Sequence, residues 1–149
     1  MARGDGLAHG DRLEHATLRE GLRIPVRVYY QDTDAGGVVF HAQYLAFMER
    51  ARTELLHALG IDLAHLADAR RVLFLVHELK ALYHAPGRLN DMLSVSAEVV
   101  KMGRASLVFR HRVERGSELL VEAEVILATV DRDRMRPARV PAELQQAFK

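Results

Sequence analysis

One helical stretch, Ala42 to Leu59, stands in a chain otherwise patterned for strands. Tyr44, Phe47, Met48, Ala51, Leu55 and Ala58 recur at three- and four-residue steps, the spacing of one helix face. Glu49, Arg50, Arg52 and Glu54 cover the remaining surface, and Gly60 is placed to cap the C-terminus. Before the helix, Ile24 to Gln31 alternates, with Val26, Val28 and Tyr30 against Arg27, Tyr29 and Gln31, which predicts a strand. After it, a short helix is expected near Leu63 to Ala69, then a long strand over Val72 to His84. Leu93, Val95, Ala97 and Val99 alternate with polar neighbours, as do Leu107, Phe109, His111 and Val113, and then Leu119 to Thr129. Pro86-Gly87, Asn90-Asp91, Gly103 and Arg115-Gly116-Ser117 punctuate these runs, and a short amphipathic helix is expected near Pro141 to Phe148. A strand, one long helix and four strands on short turns predict an α+β fold, an antiparallel sheet with the helix against one face.

Composition narrows the function classes. A chain of 149 residues fits one domain, and 49% hydrophobic with 28% charged residues is an ordinary globular balance. With no cysteine, disulfides, thiolate zinc sites and a cysteine nucleophile are excluded. The eight histidines are scattered without metal-ligand spacing, so no metal is expected. A net charge of +1 argues against bulk nucleic-acid binding. The longest apolar run, Val72 to Val76, is too short to cross a bilayer. The N-terminus has no apolar core of a secretory signal, so a cytoplasmic protein is expected. Residues 1–22 mix glycine, charge and histidine and are expected to form a flexible tail, leaving 23–149 as the domain.

Chemistry concentrates between the first strand and the helix, in Tyr29-Tyr30-Gln31-Asp32-Thr33-Asp34-Ala35-Gly36-Gly37-Val38-Val39-Phe40-His41. Amides at a helix start lack intrahelical acceptors and carry partial positive charge. They suit a developing oxyanion. A carboxylate a few residues upstream would add a base or nucleophile for acyl transfer. The same residues also suit an ordinary loop, since Asp bonds nearby amides and Gly frees the backbone.

The segment YYQDTDAGGVVFHAQYLAFMERARTELL resembles the start of the Tol-Pal-associated, YbgC-type acyl-CoA thioesterases, within the 4-hydroxybenzoyl-CoA thioesterase family. The likeness continues through LVHELKALYHAPGRLNDML, the stretch around Gly103 to Phe109, and VEAEVILATVD. It implies a hotdog fold, a sheet wrapped around the long helix, and hydrolysis of acyl-CoA without a cofactor. It also implies a homo-oligomer, dimer or tetramer, with sites at the subunit interface. By the same resemblance Asp34 is the catalytic carboxylate, as general base or as nucleophile. His41 supplies the oxyanion contact through its backbone N–H. The Tyr30 hydroxyl and the His41 imidazole are further site candidates. Asp32 is then a loop-shaping residue. Arg104 falls where the family contacts the nucleotide of coenzyme A, with Lys101 and Ser106 as neighbouring candidates. An acyl carrier protein and the inner membrane face are further associations, and Arg70, Arg71, Arg132, Arg134, Arg136 and Arg139 supply positive charge for an acidic carrier.

Three other readings compete with this one. A haloacid-dehalogenase-type phosphatase also carries an Asp-x-Asp pair, but needs a doubly wound domain that four successive strands do not provide. Glu49 or Glu54 would serve if the carboxylate lay inside the helix. A non-catalytic acyl-CoA or acyl-carrier binding module would use the same pocket without turnover.

Overall fold

The computed structural model describes residues 21–148. Strand β1 is Leu22–Arg27, followed by a 3-10 turn at Tyr30–Asp32 and helix α1 at Gln43–Ala58. A short helix α2, Leu63–His65, runs on into a π-helical turn, Leu66–Arg70. Strands β2 (Val72–Tyr83), β3 (Met92–Met102), β4 (Ser106–Arg115) and β5 (Glu118–Asp131) follow, and helix α3 is Ala142–Ala147. The expected tail falls on residues 1–20, outside the described residues, and on Gly21 and Leu22. Leu22 already pairs with Ala97 in the sheet.

The five strands form one antiparallel sheet in the order β1-β3-β4-β5-β2. Each of the last three strands presents alternate apolar residues to one face. Val95 and Ala97 from β3, Leu107, Phe109 and Val113 from β4, and Val121, Val125 and Leu127 from β5 are buried there. Helix α1 lies over that face and buries Tyr44, Phe47, Met48, Ala51, Leu55 and Leu56 against it. Each large side chain so buried contributes about 1.5–3 kcal/mol relative to exposure. This is the sheet wrapped around a long helix that the resemblance implies.

Helix α1 stops where its sequence predicts. Gly60 adopts φ +81°, and the Gly60 and Ile61 amides donate to His57 O at 2.9 Å and Leu56 O at 2.9 Å. A left-handed residue at this place closes the last carbonyls, and glycine adopts it without a Cβ clash. Asp62 then caps α2, accepting from Ala64 N at 2.8 Å and His65 N at 3.3 Å.

The expected first strand is cut short. It ends at Arg27 and not at Gln31, and Tyr30 is 82% exposed on the 3-10 turn. Asp32 is the cause. Its buried carboxylate accepts the Tyr29 amide at 2.8 Å, drawing the chain out of the β1–β3 ladder into a turn. The alternation that put Tyr30 on the face of Val26 and Val28 therefore does not persist past Val28.

The two sheet edges differ. Strand β1 carries Arg23, Pro25 and Arg27 exposed, residues that discourage further pairing. Strand β2 presents twelve residues without proline, with Val76, Leu79, Leu82 and Tyr83 exposed.

Candidate active site

The segment before α1 closes on itself as a miniature hairpin. Phe40 N donates to Asp32 O at 2.9 Å, Thr33 bridges Val39, and Asp34 N donates to Val38 O at 2.9 Å. Gly37 turns the tip with φ +79°, its amide donating to Asp34 O at 3.0 Å. The loop is strapped to the β2–β3 connection: Val38 bridges Arg88, and Val39 N donates to Gly87 O at 2.9 Å. Gly87 is buried, and its amide donates to the Tyr44 hydroxyl at 2.8 Å. A Cβ there would press on Val39 at 3.2 Å and on the Tyr44 hydroxyl at 3.4 Å, so this close approach of loop and helix calls for glycine.

The two aspartates of the loop are in opposite environments. Asp32 is 3% exposed and anchored at both oxygens, by Tyr29 N at 2.8 Å and by Gln43 Nε2 at 2.9 Å. It is a strut between the turn and the first residue of α1. Asp34 is exposed, and only its Oδ1 is engaged, by Gly36 N at 2.8 Å. Among the described residues its Oδ2 has no partner. Of the pair, Asp34 alone is free for chemistry.

His41 follows the closing bond of the hairpin and precedes the helix by two residues. Among the described residues its N–H donates to no acceptor. The imidazole is exposed and lies against Phe40, with ring centroids 4.4 Å apart. The loop thus brings Asp34 and an unpaired helix-start amide onto one closed frame. Tyr30 points into solvent and its hydroxyl has no partner among the described residues. The geometry of one chain does not join it to Asp34. Glu49 and Glu54 lie on the exposed face of α1.

The residues expected at the nucleotide lie at the far end of the sheet. Arg104 is exposed on the β3–β4 turn, with its carbonyl accepting from Val140 N at 2.8 Å. Lys101 is exposed just beyond a register shift in β3. Ser106 closes the same turn, its carbonyl accepting from Gly103 N at 2.9 Å. Strand β3 runs from Met92, beside the Asp34 loop, to Met102, beside Arg104. At about 3.3 Å per residue its ends are ~30 Å apart. The Asp34 loop and Arg104 therefore lie toward opposite ends of β3.

Of the arginines set out for an acidic carrier, Arg70, Arg71 and Arg132 are paired with Glu143, Asp133 and Asp68. Among the described residues no cluster of three or more His, Cys, Asp or Glu is arranged to hold a metal. No described helix is long and apolar enough to cross a membrane.

A second polar centre, missed in the sequence, lies inside the core. Arg52 of α1, expected on the helix's exposed surface, is instead 7% exposed and donates through Nη1 to His111 Nε2 at 3.1 Å, because its position beside Met48 and Leu55 faces the sheet. His111 is fully buried, and its Nδ1 donates to Ser96 O at 2.8 Å. Burial, with Arg52 alongside, lowers the His111 pKa from 6.5 to about 4, so the ring is neutral. Burial likewise lowers the Arg52 pKa. Both residues sit at apolar-face positions of their elements, which was the available signal.

The sequence profile of the thioesterase superfamily matches residues 36–122. The acyl-CoA thioester hydrolase YbgC of Escherichia coli is 48% identical over 129 residues, covering 86% of this chain and 96% of that protein. The acyl-CoA thioesterase YbgC of Haemophilus influenzae is 43% identical over 131 residues, covering 88% and 96%. Among solved structures, a probable thioesterase from Bartonella henselae superposes with a TM-score of 0.77 at 29% identity, covering 81% of this chain and 99% of that one.

Proposed function

The chain belongs to the YbgC-type acyl-CoA thioesterases of the thioesterase superfamily, and we propose that it cleaves its substrate with Asp34 and the His41 amide. The observation that carries this reading is the closed loop. It leaves one carboxylate oxygen of Asp34 free and one helix-start amide unpaired, while Asp32 is consumed in holding both.

Two routes use these atoms. In the first, Asp34 takes a proton from water as the water oxygen bonds to the thioester carbon. Negative charge moves onto the carbonyl oxygen, where the His41 N–H donates to it. The carbon–sulfur bond then breaks, and the thiolate of coenzyme A takes the proton back from Asp34. In the second, Asp34 attacks the carbonyl itself, expels the thiolate and forms a mixed anhydride that water opens. Label in the Asp34 carboxylate after a single turnover in ¹⁸O-water would require the anhydride and so identify the second route.

The working unit is an oligomer in which one chain supplies Asp34 and another supplies Arg104 to the same coenzyme A. The distance along β3 supports this, as does the open apolar edge of β2, where a second copy would bury Val76, Leu79 and Leu82. Arg104, with Lys101 and Ser106 beside it, would meet the nucleotide phosphates. The same reading takes the protein to act in the cytoplasm on acyl-CoA, with an acyl carrier protein as partner, in the Tol-Pal context of the family. Arg134, Arg136 and Arg139, which have no carboxylate partner among the described residues, would face the carrier.

Release of free thiol from a panel of acyl-CoAs tests the reading. Wild type should turn over, and Asp34→Ala and Asp34→Asn should lose most of kcat with the fold intact. Retained acyl-CoA binding without turnover in wild type would favour a binding module instead.

A further inference from the structure

The amide of His41 is useful only if it points at the substrate, and its orientation has identifiable causes. The peptide joining Phe40 and His41 is planar and trans, so the His41 N–H and the Phe40 C=O point in opposite directions. Gln43 N donates to that carbonyl at 2.8 Å, drawing it into the first turn of α1. The His41 N–H is thereby turned outward from the helix start. Gln43 is itself held, because its side-chain Nε2 donates to the buried Asp32 at 2.9 Å.

The next peptide is fixed independently. The first turn of α1 is wound tightly, with Leu45 N donating to Ala42 O at 3.1 Å. That bond passes over the His41 carbonyl, leaving it outside the helical ladder. The Tyr83 hydroxyl, from the end of β2, donates to it at 3.0 Å. Tyr83 is in turn seated edge-on against Tyr44, ring centroids 5.8 Å apart. Both peptides flanking the His41 Cα are therefore pinned, one by Gln43 and Asp32, the other by Tyr83.

We propose that Gln43 and Tyr83 are positioning residues that hold the His41 amide in the orientation the thioester oxyanion requires. The inference rests on the reading of His41 as the oxyanion donor and adds the side chains that aim it. Removing a whole oxyanion donor typically costs about 10²–10³ in kcat. Releasing one of two restraints on a donor that remains present should cost less, on the order of tenfold.

The test is steady-state hydrolysis of one acyl-CoA by Tyr83→Phe, Gln43→Leu and the double variant, with Asp34→Asn measured beside them. Tyr83→Phe removes one hydroxyl from a half-exposed ring and leaves the fold standing. Expected is a roughly tenfold fall in kcat for each single variant at unchanged KM and unchanged oligomeric mass. Unchanged kcat in Tyr83→Phe, or a rise in KM alone, overturns the inference. If Asp34→Asn is inactive while both positioning variants keep full kcat, only this inference fails. If Asp34→Asn is fully active, the reading of the site beneath it fails as well.

Discussion

Acidification should destabilise this protein through one residue, His111. The ring is fully buried, gives its Nδ1 proton to Ser96 O and takes a proton bond from Arg52 at Nε2. Protonating Nε2 would face a cation toward the Arg52 guanidinium in a site with no described carboxylate in contact. Its pKa of about 4, against 6.5 for a free ring, expresses that cost. A depressed folded pKa means that the unfolded chain binds the proton more readily. The stabilising contribution is full above pH 6.5 and is lost as pH falls toward 4. The whole gap is worth about 3 kcal/mol, and about 2 kcal/mol of it is lost between pH 7 and pH 5. Urea unfolding at pH 7, 6 and 5, at fixed protomer concentration, measures the fall in wild type. His111→Gln serves as the reference, since it keeps an acceptor for Arg52 and removes the titration. Wild type should lose about 2 kcal/mol more than the variant over this range. Parallel curves for the two proteins would refute the assignment of the pH dependence to His111.

Other consequences follow from the same structure. Arg104→Ala should raise KM for acyl-CoA more than it lowers kcat, while a thioester lacking the nucleotide should be hydrolysed equally by both proteins. Mixing inactive Asp34→Asn with Arg104→Ala subunits should restore part of the activity in steady-state assays, because hybrid assemblies contain sites with both native residues. Leu79→Asp places a charge on the exposed apolar edge of β2 and should reduce the mass seen by light scattering together with activity. Leu55→Ala, at a fully buried position of α1, should cost about 2–5 kcal/mol in denaturant unfolding.

The fold was legible because its two periodicities are clean. The three- and four-residue spacing of Tyr44 to Ala58 predicts α1 to within a residue at its start, and the alternation of β3, β4 and β5 predicts their buried faces. The end of β1 was not legible. Val26, Val28 and Tyr30 share a period, but a buried carboxylate at Asp32 bonding Tyr29 N overrides it, and side-chain-to-backbone bonds leave no trace in hydropathy. The separate fates of Asp32 and Asp34 came from the family resemblance, and the geometry gives them a cause in the anchoring of Asp32 by Gln43. Arg52 was assigned to the surface on its charge alone, and the pairing with His111 escaped notice because a lone polar residue on an apolar face carries no marker of its partner, here 59 positions away. Tyr83 escaped for the same reason, its acceptor being the carbonyl of His41, 42 positions earlier.

The placement of the reacting carbonyl is open to direct observation. A crystal structure of Asp34→Asn with an intact acyl-CoA should show the thioester oxygen about 3 Å from the His41 nitrogen, and the residue 34 side chain beside the thioester carbon. The phosphates should lie against Arg104 of the neighbouring subunit. A thioester oxygen bound elsewhere in every subunit, with the His41 amide facing solvent, would contradict the account.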